Sequence, residues 1–252
     1  MEDQMKLKLL CCDVFYREVC HIVAESPNTC DIDFLPRGLH DLGCERMVAR
    51  LQEKIHESEG DAYDAICLAY GLCSNGVVGL FSKATRLVVP RVHDCIALFL
   101  GSHSRYQERF DGYPGTWYRT TGWYERFDAS KAGEAGVQER MGLTWERKKL
   151  VEKYGEENAD YILAFLGDPT AYYDRLAFIA MGLPCEDTFE RMAQAEAAQK
   201  SWVYEKIDGS MVMLKDLIDG NWHDGFLVVE PGEAIAPSYD NTIVKSESVA
   251  EK

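Results

Sequence analysis

Cysteine is the residue type whose number and placing most call for a chemical explanation: the chain has nine, and eight lie before residue 96. Four short apolar runs in the first half end in residues that can bind metal or attack an electrophile. Cys11-Cys12-Asp13 closes the first run, His40-Asp41 follows the second, Tyr70-Gly71-Leu72-Cys73-Ser74-Asn75-Gly76 follows the third, and Arg91-Val92-His93-Asp94-Cys95 follows the fourth. If these runs are parallel strands, their carboxyl ends share one edge, where the loops of an open α/β sheet converge on ligands. Cys12, Cys73 and Cys95 then come from three separate loops, with His40 and His93 nearby. Soft thiolates of this kind ligate zinc or an iron–sulfur cluster. Three cysteines with an open fourth position make a catalytic design, and a histidine in that position makes a closed, structural one.

Each of these residues also has a plainer reading, because free cysteine is among the most buried residue types. Cys67, inside the third run, is read as core, and Cys20, Cys30 and Cys185 give no reason for another reading. Cys44, four residues after His40, forms a possible helical pair but is better placed just inside a helix start. Cys95 has a second chemistry: behind His93-Asp94 at a helix start it could serve as a nucleophile, with His93 and Asp94 as catalytic partners. Around the edge, Tyr70, Asn75, Arg91 and Trp123 are candidates for holding a cofactor. The glycines at 71, 76 and 79 match neither phosphate-binding fingerprint and read as a tight turn.

The elements that must position these residues alternate between strand and helix patterns, the mark of a parallel sheet. Strands are expected at residues 6–12, 31–36, 63–70 and 86–91, and helices at 14–25, after Asp41 and at 95–100. Met47, Leu51 and Ile55 recur at helical spacing and give the second helix a core face. Residues 113–127 read as a strand with an aromatic loop, 130–139 as a connector, and 145–200 as helical. Strands at 202–207 and 226–230 flank a helix at 211–218. The expectation is an open, mostly parallel, Rossmann-like α/β sheet with helices on both faces. Its sheet domain covers 1–128 and 201–245, with a helical insertion at 129–200 and a disordered tail at 246–252.

Acidic residues outnumber basic ones, 42 to 27, for a net charge of −15. That balance argues against nucleic acid and anionic membrane surfaces as partners. No run reaches the roughly 18 apolar residues of a membrane span, and the start Met1-Glu2-Asp3-Gln4 lacks the pattern of a secretory signal. A cytoplasmic protein is expected, where cysteines are core residues, ligands or reactive thiols rather than disulfides.

The sequence resembles the DUF1638 family of bacteria and archaea, whose members are functionally uncharacterised. The resemblance rests on Cys12-Asp-Val-Phe-Tyr-Arg-Glu18, Leu35-Pro-x-x-Leu-His40, Tyr70-Gly-Leu-Cys-Ser-Asn-Gly76, Val89-Pro-Arg-Val-His-Asp-Cys95 with Gly101-Ser102, and Pro114-Gly with Thr121-Gly-Trp123. It runs on through 153–159 and 229–232. The family pattern matches Cys12 rather than Cys11, together with Cys73, His93 and Cys95, and does not require Cys44. It implies a cytoplasmic protein often encoded beside corrinoid-dependent methyltransferases, and hence a role in one-carbon metabolism. The leading expectation is a zinc or iron–sulfur centre on Cys12, Cys73 and Cys95, with His40 or His93 as fourth ligand or proton-transfer group. The alternatives are an accessory protein that binds a corrinoid or a corrinoid protein, and an enzyme with Cys95 as nucleophile.

Overall fold

The computed structural model describes residues 4–59, 62–126, 147–166 and 171–249, without the side chains of 40–42, 147–149 and 163–166. The connector expected at 130–139 lies outside the described residues.

Strand β1 (Lys6–Cys12) leads through a 3-10 turn into helix α1 (Tyr16–Glu25), then strand β2 (Thr29–Leu35) and helix α2 (Cys44–Ser58). Strand β3 (Ala65–Ala69) is buried along its whole length, as its unbroken apolar run requires of a central strand. Strand β4 (Leu87–Pro90) follows, then helices α3 (Cys95–Leu100) and α4 (His103–Gly112). The first sheet has the order β2-β1-β3-β4 in parallel, and β8 (Phe226–Val229) closes its edge antiparallel to β4. Pro90 sits at the last register position of β4, opposite Phe226, where the ladder ends.

Parallel crossovers are right-handed, so α1 and α2, which wind in opposite directions along the sheet, cover opposite faces. Met47, Leu51 and Ile55 of α2 are fully buried on one face. Helix α9 (Val212–Asp219) packs beside α1 and against β3 and β4 on the other. The winding reverses between β1 and β3, which makes the carboxyl ends of those two strands the ligand crevice of such a sheet.

A second parallel sheet corrects the expected helical insertion. Strand β6 (Arg175–Ala180) lies between β5 (Thr116–Arg119) and β7 (Val203–Asp208). Helices α6 (Arg147–Tyr154) and α7 (Glu156–Leu166) precede β6, and α8 (Glu186–Lys200) joins β6 to β7. Side chains of β6 alternate between faces: Leu176, Phe178 and Ala180 pack with Ala193 and Ala197 of α8, whereas Ala177, Ile179 and Met181 join the main core. The sequence run 176–181 is apolar throughout, so it carries no periodicity that separates strand from buried helix. The expected disordered tail also differs, since 246–248 lie in β10 (Val244–Ser248), paired antiparallel with β9 (Glu233–Pro237). Among the described residues no helix is long and apolar enough to cross a membrane.

Candidate functional site

Cys12 is the last residue of β1 and is buried. A 3-10 turn over Asp13–Phe15 follows, and the short helix α5 (Thr121–Glu125) is seated on it. The seat needs glycine: a Cβ on Gly122 would collide with the Val14 carbonyl. Trp123, the next residue, is thereby fixed beside the strand ends, with the Arg37 guanidinium 4.6 Å over its ring. Arg37 also donates its backbone N–H to Asp13 at 2.8 Å.

The loop after β3 locks onto the loop after β4. Leu72 N–H donates to Val92 O and Cys73 N–H to His93 O, both at 2.8 Å. Gly71 permits this approach, because a Cβ there would stand 2.8 Å from the Asp94 nitrogen. The chain then makes a left-handed turn over three consecutive non-glycine residues, Cys73, Ser74 and Asn75, with φ of 47°, 57° and 69°. Each such residue costs roughly 1 kcal/mol, and strain of this kind concentrates at functional sites. The turn buries the Cys73 side chain and leaves Ser74 and Asn75 exposed.

Asp94 begins α3, accepting from Ile96 N–H at 2.9 Å and Ala97 N–H at 3.3 Å through Oδ1, and the Tyr106 hydroxyl of α4 faces it. Burial pushes the Asp94 carboxyl up, against the pull of those amides. As a helix cap it is committed to structure rather than free for catalysis.

The structure brings Cys12, Cys73 and Cys95 into one neighbourhood. Ionisation of Cys95 is opposed first by burial and then by Asp94, Cys73 and Cys12, while that of Cys12 is opposed by burial, Asp13 and Cys73. The Cys73 thiol is pushed up to about 12, mainly by burial and next by Asp94. The Val14 amide near Cys12, the Gly71 and Cys95 amides near Cys73 and the Trp123 indole near Cys95 pull these thiols downward, against the larger effect of burial. As placed, no three His, Cys, Asp or Glu side chains among the described residues are gathered on a single metal ion.

Buried polar atoms that lack a formed hydrogen bond include Tyr70 Oη, Thr121 Oγ1, Trp123 Nε1 and His103 Nδ1, and at the second sheet Trp117 Nε1 and Tyr118 Oη. Tyr70 is 1% exposed, and its hydroxyl lies in the field of Cys12, Cys11, Cys73 and Asp13. Orphaned polar groups are rare in folded proteins and call for an explanation.

The other sequence candidates are placed differently. His93 is exposed and meets His103 edge-on, with ring centroids 5.2 Å apart. Arg91 is taken by backbone carbonyls, those of Phe226 at 3.2 Å, Thr242 at 3.1 Å and Val244, so it ties β4 to β8 and β10. Asn75 serves the left-handed turn, its carbonyl accepting from Val78 N–H at 3.1 Å. His40 lies in the 3-10 helix Arg37–Leu42, and its side chain is outside the described residues. Sequence reading missed His103, Tyr106 and Thr121, which belong to elements following the strand-end loops rather than to the loops themselves. It also missed Glu18 of α1, a 1% exposed carboxylate with both oxygens unpartnered. Its only signal was a charged residue on the buried side of a helix.

The family model of DUF1638, described as a protein of unknown function, matches residues 34–218. No curated protein and no solved structure matches the chain.

Proposed function

The chain belongs to the DUF1638 family, and from its own strand-end geometry we propose that it is an iron–sulfur protein holding its cluster on Cys12, Cys73 and Cys95. The observation that carries the reading is that buried Cys12 and Cys73 and partly buried Cys95 come from three loops at the carboxyl edge of the first sheet, each within the electrostatic reach of another. Amides and indoles directed at sulfur stabilise thiolate, the form that ligates metal. A buried thiol without a cation keeps its proton, and a metal replaces that proton.

Among the described residues no three His, Cys, Asp or Glu side chains are placed to hold a metal ion, so the reading rests on thiol chemistry at the three strand ends, where a cluster would let each cysteine bind a different iron. Such a cluster supplies single-electron transfer and, with three cysteines, an iron open to substrate. The chain's own contribution is to exclude water from the thiols, to fix their directions through the Gly71 and Gly122 contacts, and to surround them with donors. His93 and His103, at the outer rim, are placed to exchange protons with solvent. The nucleophile reading has no comparable support, since burial moves the Cys95 thiol upward, the reverse of what attack requires.

Anaerobic purification followed by iron and sulfide analysis tests the proposal. Near-stoichiometric iron and acid-labile sulfide, both lost in Cys73→Ser while the fold persists, is the expected result. A protein free of both after production with iron and sulfur available would overturn it.

A further inference from the structure

Two arginines stand over the turn that leaves β1, and helix α5 brings them there. Gly122 seats that helix on the Val14 carbonyl, and Arg126 N–H donates to Gly122 O at 3.0 Å, so Trp123 and Arg126 lie one turn apart on the same side. The Arg37 guanidinium lies 4.6 Å over the Trp123 ring, and the Arg126 guanidinium 4.0 Å over the ring of Tyr16, the first residue of α1. Arg37 is also tied to the turn by its backbone bond to Asp13 at 2.8 Å, and Tyr16 packs on Phe34 of β2 with ring centroids 4.8 Å apart. A guanidinium whose face is covered by a ring keeps its rigid N–H edge for a partner in the plane, and that edge matches carboxylate or phosphate. The Arg126 Nε is buried and has no hydrogen-bond partner among the described residues. Helix α1 begins beneath Arg126 with no side-chain cap, and its positive end adds to the guanidiniums. The carboxylate on which both arginines act is that of Asp13, so a positive excess remains in a chain whose net charge is −15.

We propose that Arg37 and Arg126 bind the anionic group of a small ligand, a phosphate or a carboxylate, at the carboxyl end of β1. That end is one side of the crevice where an open parallel sheet takes its ligands. Each arginine donates in-plane N–H bonds to the oxygens of the anion, and the Trp123 and Tyr16 rings hold the two forks in place before it arrives, so little side-chain freedom is lost on binding. A small anion suits the site better than a polyanion, which the acidic surface elsewhere on the chain repels. The inference is independent of the iron–sulfur reading, because it involves no metal and no electron transfer.

The test is calorimetric titration of the full chain with inorganic phosphate and, separately, with malonate. Saturable binding of at least one of them is expected, weakened roughly tenfold in Arg37→Gln and in Arg126→Gln and unchanged in Arg50→Gln on the exposed side of α2. Arg37→Gln keeps the backbone bond to Asp13, and Arg126 is only partly buried, so both variants are expected to fold, which urea unfolding checks; if one does not, the other decides. Binding of phosphate alone assigns a phosphate-bearing ligand, binding of malonate alone a carboxylate, and either result supports the site. No saturable binding by wild type at millimolar anion, or wild-type affinity in the folded arginine variants, would overturn it.

Discussion

The two parallel sheets of this chain differ in how far their polar groups are paired. In the second sheet, charge meets charge. Arg119 is held by Glu196 through two bonds of 2.9 and 2.6 Å, Arg109 by Glu205 at 2.9 and 2.7 Å, and Lys206 by Glu190 at 2.7 Å. The Tyr124 hydroxyl donates to Glu196 at 2.7 Å and that of Tyr204 to Glu190 at 3.0 Å. At the carboxyl edge of the first sheet, thiols, a phenol and an indole lie buried with few or no partners. A satisfied network rigidifies a fold, and an unsatisfied one costs stability until something binds. The contrast is one of degree, since Trp117 Nε1 and Tyr118 Oη of β5 are also buried without a partner, and under the proposed function the chemistry belongs to the edge of the first sheet.

Between them lies Glu18, where α1 approaches Glu186 at the start of α8 and the Arg17–Glu125 pair. Glu186 is occupied, its oxygens accepting from Met181 N–H at 2.7 Å and Gly182 N–H at 2.9 Å. Burial pushes the Glu18 carboxyl up to about 7, its own amide opposes this, and Glu186 adds to it. The seam between the sheets therefore contains an acid that prefers to be neutral.

Four substitutions would break or sharpen this comparison. The largest effect is expected from Gly122→Ala, whose new methyl group would collide with the Val14 carbonyl and lift α5 from the Cys12 loop. Backbone has no rotamer by which to yield, so a loss of about 4 kcal/mol is expected in urea unfolding; an unchanged midpoint would show that α5 is not seated there. Next comes Glu18→Gln. A carboxyl raised in the folded state contributes stability fully below its unfolded value and loses it as pH climbs through about 7. At pH 8 the variant should be more stable than wild type by about 3 kcal/mol, and at pH 4 equal to it; a gain of the same size at both pH values would assign the effect to packing.

A smaller change is expected in the scaffold sheet. Arg119→Met leaves half-buried Glu196 without its cation and should cost about 2 kcal/mol, while the reaction rate of the first-sheet thiols with a thiol reagent stays at the wild-type value. If that rate rises, the two sheets are energetically coupled and the contrast weakens. The smallest effect should come from Arg50→Gln on α2, where the Arg50–Glu53 pair is exposed and the midpoint of the same unfolding measurement is expected to stay at its wild-type value.

Much of the first sheet could be read from sequence, for a definite reason. Strands β3 and β4 are unbroken apolar runs, β1 is apolar from Leu9 on, and α2 has a clear helical period, so β1, β3, β4 and the core face of α2 stand where the patterns put them. The strand-end rule then selected Cys12, Cys73 and Cys95 from nine cysteines, along with Tyr70; they stand at or just after the ends of β1, β3 and β4, and among the described residues no three His, Cys, Asp or Glu side chains are placed to hold a metal ion. The second sheet was less legible. Strand β5 has four residues, too few to show alternation among aromatic neighbours, and β6 is apolar on both faces because helix and core cover it from either side. Arg91 was misleading in another way. Its strand-end position suggested a ligand, yet its role depends on carbonyls from β8 and β10 that no local pattern could place beside it.

The antiparallel closure by β8 has a consequence for how the chain is made. Strands β1 to β4 can pair as they leave the ribosome, since each crossover is complete once its own strand has emerged. The outer edge of β4 meets its partner only after the entire second sheet has been synthesised. Until then Leu87–Pro90 presents an open, apolar edge, the kind of surface on which nascent chains associate. Slow translation of the later segments would lengthen that exposure, and chaperone holding during it would protect the first sheet more than the second.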